Sequence, residues 1–295
     1  MSVNSTTAVL STSKPKALWE LTKFRLSALV VFSAAMTFLL APHEQVNFVK
    51  LIALVVGGFL VTCAANIINQ VIEIDIDRQM KRTASRPLPT GRLSKEEAIM
   101  LCLFCALSGT AVLVWYVNVL TAAITVLSMI LYGFVYTPLK PKTPLSVLVG
   151  AIPGALPPMI GWVASTGTLS VEAWVLFGIQ FIWQFPHFWA IAWILDDDYQ
   201  RVGFKMLPNG GGKTMNTAFQ IMMYTLFLLP LGMLPTQLGI TGPTSAIVAT
   251  ICGCLFLMTT FNLMKECTAK AARNILLGSI IYLPIVQIVY VLDKI

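Results

Sequence analysis

Charge is what this chain has least of. Its 295 residues include 20 Lys and Arg and 13 Asp and Glu, or 11% charged, against about a quarter in soluble domains. A water-soluble globule of this length must cover its surface with polar groups, so the shortage excludes one. Histidine is nearly absent, with two in the chain. His43 falls in an expected external loop and His187 in an expected span, so no histidine-based zinc site can be built. Six cysteines are present, but Cys102-x-x-Cys105 and Cys252-x-Cys254 lie in apolar stretches with no His or acid at ligand spacing. They are expected to be small packing residues. The Ser/Thr-rich first 25 residues contain no apolar signal-peptide core and lack the Arg-rich pattern of an organelle import peptide, which favours a bacterial cytoplasmic membrane. Gly210-Gly-Gly-Lys213-Thr214 resembles the end of a phosphate-binding loop, but Leu207 stands where its first glycine belongs and no strand precedes it.

Long apolar runs are what the chain does have, at 57% hydrophobic residues. Nine segments are long enough to cross a bilayer as helices: 26–42, 51–72, 98–117, 119–137, 145–165, 172–194, 217–238, 244–262 and 273–292. The third and fourth nearly touch at Asn118. The expected architecture is an all-α, nine-helix transmembrane bundle with a central cavity open toward the cytoplasmic side. Residues 1–25 form a flexible cytoplasmic segment and residues 26–295 a single transmembrane domain. The formal charge of +7 does not indicate nucleic acid, because its placement follows membrane topology. Eighteen of the 20 Lys and Arg lie in the N-terminus, in 73–97, 138–144 and 195–216, and in the connection up to Arg273. Only Lys50 and Lys294 fall on the other side, which predicts a cytoplasmic N-terminus.

Ten of the 13 acids share the basic side, and six form two clusters: Glu73, Asp75, Asp77 and Asp196, Asp197, Asp198. They sit at the ends of the second and sixth spans. On a continuous helix Asn69, Glu73 and Asp77 drift by about 40° per step over about 12 Å, and Asn66 lies within about 20° of Glu73. Asp75 points away. Carboxylates at membrane depth are costly and seldom idle. An oxygen-only stripe calls for a hard cation, Mg²⁺ ahead of Ca²⁺ or Zn²⁺, and Mg²⁺ keeps positions for phosphate oxygens. The alternative is interfacial pairing with Arg78, Lys81 and Arg82.

In the second cluster, helical extrapolation puts Asp198 within about 20° of His187 and Asp197 within about 80°. Asp198 ranks first, Asp197 second and Asp196 last, the alternative being a solvated helix end. Arg82, Arg86 and Lys140 are the leading phosphate contacts, because prolines and short loops hold them near the acids. Trp183, Phe185, Phe188, Trp189 and Trp193 offer aromatic faces to a cation, or else pack between helices. His187 is placed either to bind an acceptor or to bridge helices.

Together these segments resemble the UbiA superfamily of intramembrane prenyltransferases. The resemblance is carried by Asn69-Gln-x-x-Glu73-x-x-x-Asp77-x-x-Met80-x-Arg82-Thr83-x-x-Arg86-Pro-Leu-Pro, Tyr136-Thr-Pro-Leu-Lys140, Gly161-Trp162, Pro186-His187-Phe188-Trp189, and Asp198-Tyr199 with Met206-Leu207-Pro208. It spans roughly residues 20–290 and is nearest the superfamily's haem-modifying branch, where Glu73 replaces the aspartate common in other branches. The second motif lacks a clean Asp-x-x-x-Asp, since Leu195 and Tyr199 occupy plausible partner positions. The resemblance implies farnesyl diphosphate and haem B as substrates, and Mg²⁺ held by Asn69, Glu73, Asp77 and Asp198. It also implies that Asn66, Arg82, Arg86, Tyr136, Lys140, His187, Trp189, Asp197 and Tyr199 contact substrate. A relative acting on a quinone-precursor ring and a cation-coupled transporter are the competing expectations.

Overall fold

The computed structural model describes residues 13–42, 44–208 and 212–295. His43 and the Gly210-Gly211 pair lie outside them. The described residues form helices and turns, with one isolated bridge between Thr241 and Lys294.

Among the described residues, eight helices, or continuous helical segments, are long and apolar enough to span a membrane. They are α3 (Phe48–Ile72), α5 (Lys95–Tyr116), the Val119–Leu139 segment, α8 (Ser146–Thr166), α9 (Val171–Ile194), α11 (Met215–Gln237), α12 (Pro243–Glu266) and α13 (Ala269–Leu292). The ninth span, α2 (Phe24–Leu40), qualifies only together with α1 (Lys14–Leu21), from which it bends by 41°. Every expected span therefore has a helix. The Val119–Leu139 segment comprises α6 (Val119–Ile130), a π-helical stretch (Leu131–Tyr136) and the single turn α7 (Thr137–Leu139). Two short helices, α4 (Ile74–Gln79) and α10 (Asp196–Arg201), continue α3 and α9 past a break.

Residues 1–12 of the expected flexible segment lie outside the described residues, and its second half is helical. Ala17 and Leu21 of α1 are fully buried against Ile67, Leu88, Leu93 and Ala98, so an apolar face docks α1 on α3 and on the loop after α4. At the boundary between the third and fourth spans, the Asn118 side chain accepts from Thr121 N at 2.7 Å and donates to Val163 O at 3.1 Å. It caps α6 and ties the turn to α8.

The helices close around α8, which packs on α2, α6 and α9. With no difference in hydrophobicity between lipid and side chains, such packing relies on close approach and on polar pairing. A Cβ on Gly57 of α3 would lie 2.9 Å from Gly109 O of α5, so glycine is required at that crossing. Gly161 of α8 lies against Ala34 O and Thr37 Oγ1 of α2 in the same way. Prolines in α8 turn a defect into a link. Pro157 and Pro158 cannot donate to Pro153 O and Gly154 O, and those carbonyls accept instead from Ser128 Oγ at 3.1 Å and Gln180 Nε2 at 2.8 Å. Freed backbone groups are thereby satisfied inside the bundle.

Candidate active site

A cavity of about 490 Å³ opens between α2, α3, the π-helical stretch, α8, α9 and α13. Its wall is apolar for most of its depth, and its charged residues gather at one end. That end is built where α3 breaks. Glu73 leaves helical geometry with φ −94° and ψ 13°, yet Glu73 N donates to Asn69 O at 3.0 Å and Asp77 N to Glu73 O at 2.7 Å. Because four-residue bonding persists across the break, Asn69, Glu73 and Asp77 keep one face and all line the cavity, with Asn66 one turn deeper.

Each carboxylate has a cationic partner. Lys140 Nζ donates to Glu73 Oε1 at 2.8 Å, and Asn69 Nδ2 donates to Glu73 Oε2 at 2.9 Å and to Thr137 Oγ1 at 3.1 Å. Arg86 Nη1 donates to Asp77 Oδ2 at 2.7 Å. The loop after α4 brings Arg86 back, held by Thr83 Oγ1 donating to Asp77 O at 3.0 Å and by buried Leu88. Lys140 stands just past the fourth span, its ammonium 4.7 Å from the Tyr136 ring centroid. Burial works against its charge, but Glu73 beside it, with Tyr132 and Tyr199, more than restores it, leaving the lysine above its ordinary pKa. The π-helical stretch shifts the phase of the fourth span, so that Tyr132 and Tyr136 both line the cavity with rings 5.4 Å apart. Such bulges are frequent at functional sites.

One oxygen is left over. Asp77 Oδ1 is buried with no hydrogen-bond partner among the described residues, and a buried carboxylate oxygen without a donor or cation is costly. It shares the cavity with Glu73 and Asn69, so hard oxygen donors stand together with a carboxylate oxygen still lacking a partner, as suits an Mg²⁺ site.

Asn66, Asn69, Glu73, Asp77, Arg82, Arg86, Tyr136, Lys140, His187 and Tyr199 all line this one cavity. Five expected residues do not, the buried Phe185 and Trp193 among them. Asp198 pairs with Arg201 at 3.5 Å, and Asp197, whose side chain is 85% exposed, pairs with Lys213 at 3.1 Å. Trp189 is buried against Phe185 and Tyr224, at centroid distances of 5.2 and 5.0 Å. The aspartates fall beside the face that meets the cavity: Tyr199 N donates to Leu195 O at 3.0 Å, so Phe188, Ile191, Leu195 and Tyr199 stay in register along the wall and Asp197 and Asp198 do not.

The sequence reading missed Lys23, which sits at the α1–α2 bend with φ 48°, lines the cavity and donates to Asn69 Oδ1 at 3.3 Å. It also missed Ser33, Gln180, Gln184 and Gln287, which line the deep end. There Ser33 Oγ donates to Gln180 Oε1 at 2.7 Å and Gln287 Nε2 to Ser33 Oγ at 2.6 Å. Uncharged polar residues inside apolar spans were the available signal.

A model of the UbiA prenyltransferase family matches residues 29–281. The chain is 50% identical over 283 residues to a protoheme IX farnesyltransferase from Cytophaga hutchinsonii, covering 96% of this chain and 99% of that one. It is 44% identical to the protein of that name from Christiangramia forsetii, covering 99% and 96%. Among solved structures, a digeranylgeranylglyceryl phosphate synthase superposes with a TM-score of 0.79 at 20% identity, over 96% of this chain and 99% of that one. A UbiA homologue from Archaeoglobus fulgidus bound to DMAPP and Mg²⁺ does so with 0.65 at 12%, over 91% and 99%.

Proposed function

Because the chain belongs to the UbiA prenyltransferase family, we propose that it transfers a farnesyl group from farnesyl diphosphate to a vinyl group of haem B, with addition of water, giving haem O and diphosphate. The observation that carries this reading is a single cavity with an acidic and basic rim around Asp77 and a long apolar wall behind it. The half-identical protoheme IX farnesyltransferase of C. hutchinsonii supports the choice of donor and acceptor.

Bound Mg²⁺ would neutralise the diphosphate and make it a competent leaving group. Asn69, Glu73 and Asp77 are the residues that would hold it, Asp77 through its unpartnered oxygen. Asp198, outside the cavity wall, is left out of this set. Lys140, Arg82 and Arg86 bind diphosphate oxygens and hold charge as the allylic C–O bond breaks. Arg82, with no hydrogen bond or ion pair among the described residues, is the freest of them to do so. The Tyr132, Tyr136 and Phe188 faces line the path of the farnesyl cation and exclude bulk water from it. The vinyl π electrons form the new C–C bond, one water oxygen closes the resulting cation and loses a proton, and diphosphate departs. The chain supplies no nucleophile of its own.

The basic rim faces the cytoplasm in this reading, following the distribution of Lys and Arg. The test is mass spectrometry of products after purified protein in lipid nanodiscs is incubated with farnesyl diphosphate, Mg²⁺ and haem B, beside a parallel incubation with an aromatic acid. Prenylated and hydrated haem is the expected product. Prenylation of the aromatic acid alone would replace haem B with a quinone-precursor ring as the acceptor.

A further inference from the structure

Ring contacts deep in the cavity determine which nitrogen of His187 carries its proton. Ser279 Oγ lies 2.7 Å from Leu276 O and 2.8 Å from His187 Nδ1. A hydroxyl has one proton. If it pointed to Nδ1, two acceptor oxygens would face each other at 2.7 Å with nothing between them. With the proton on Nδ1 both contacts are satisfied: Nδ1–H donates to Oγ, and Oγ–H donates to Leu276 O. The same turn of α13 fixes the ring plane, because Trp183 stacks on His187 at 4.7 Å and 19° while its Nε1 donates to Ser279 O at 2.9 Å. What remains is Nε2, a lone pair with no partner among the described residues, on a side chain that lines the cavity.

We propose that Ser279 and Trp183 lock His187 as the Nδ1–H tautomer, so that its Nε2 binds the iron of the haem acceptor and orients the macrocycle in the cavity. A second hydrogen bond of this kind is how proteins orient imidazole ligands and raise their basicity. Ser279 is thus a positioning residue that acts through His187. His187 lies eight residues, or about 12 Å of helix, from the α9 break at Leu195. The iron is thereby held away from the charged rim, with room for the vinyl edge between them. The inference rests on the haem reading above and adds to it a ligand and its tautomer.

The test is haem binding without prenyl donor. Protein in nanodiscs is titrated with haem B and followed by its absorption spectrum, with metal-free protoporphyrin as control. A histidine-ligated spectrum is expected for the wild type, lost in His187→Ala and restored by added imidazole, while metal-free protoporphyrin binds both alike. Ser279→Ala is expected to raise the Kd for haem B about tenfold, and Ser279→Thr, which keeps the hydroxyl, to stay within about twofold. The Ser279 pair carries the test if His187→Ala does not fold. A wild-type spectrum and Kd unchanged in His187→Ala, or in Ser279→Ala where that pair is used, overturns the inference even when mass spectrometry shows prenylated haem. Absence of any prenylated haem from the wild type overturns the haem reading and the inference with it.

Discussion

The two acidic clusters sit at two breaks with almost the same backbone, Glu73 at φ −94°, ψ 13° and Leu195 at φ −100°, ψ 12°. Counted from each break, the same offsets face the cavity. Asn66, Asn69, Glu73 and Asp77 line it on one side, and Phe188, Ile191, Leu195 and Tyr199 line it on the other. The backbone is repeated while the chemistry is inverted. The first strip presents amides and carboxylates to a cation and a diphosphate, the second an aliphatic and aromatic wall to a prenyl chain. Asp196, Asp197 and Asp198 follow their break at offsets where the first strip carries Ile74, Asp75 and Ile76. Asp75 is likewise outside the cavity, paired with Arg78 at 2.9 Å. An acid near a helix tip is therefore not a ligand by proximity; its offset from the break decides.

The largest effect expected is at Asp77. Asp77→Asn keeps the side-chain size and removes the charge, and should lower diphosphate release about 10³-fold with the protein still folded and inserted. Near-normal turnover in that variant would break the comparison at its root. Next comes Lys140→Met, which strands Glu73, only 5% exposed, without its cation. Removing one partner of such a buried pair costs about 3 kcal/mol, to be read as a lower melting temperature in detergent, along with about 10² in kcat/KM. The Lys140 pKa is raised, so its contribution to stability is complete below the unfolded-state lysine value and is lost only as pH climbs through the higher folded one. The melting difference between wild type and variant should hence be equal at about pH 7 and about pH 9. A difference that shrinks over that interval would mean that Glu73 does not sustain the charge.

All nine spans could be read from the sequence because apolar length is a local property, and so could the polar face of the first strip. That face survived because Asp77 N still bonds to Glu73 O across the break. The second cluster misled because its register was counted from His187: Tyr199 N bonds to Leu195 O as Asp77 N does to Glu73 O, so Tyr199 takes the wall position and Asp198 and Asp197 fall beside it. Trp189 was misjudged because a helix in a bundle buries aromatics on several faces, and its face meets Tyr224 of α11 rather than the cavity. Lys23 and the Ser33–Gln180–Gln287 link join residues up to 254 positions apart, and no single-helix pattern reveals such a meeting.

The second cluster gives the smallest effects and the sharpest discrimination. Asp198 neighbours Tyr199, which does face the cavity, and its bond to Arg201 steadies α10. Asp198→Ala should therefore cost about tenfold in kcat/KM, or about 1.4 kcal/mol, with most of the loss recovered in Asp198→Asn, since a hydrogen-bonding side chain still holds the turn. A loss equal to that of Asp77→Asn, and not recovered by asparagine, would place a second carboxylate on the cation and overturn the offset rule. Asp197→Ala is the control within the cluster. Its side chain is exposed and paired with Lys213 across the surface, an arrangement worth under about 1 kcal/mol. Activity should stay within about twofold and the melting temperature should not move. If both aspartates behave alike, exposure and offset have been given more weight than they bear; if they separate as expected, adjacency to the wall residue Tyr199 is what distinguishes Asp198 from the bystander Asp197.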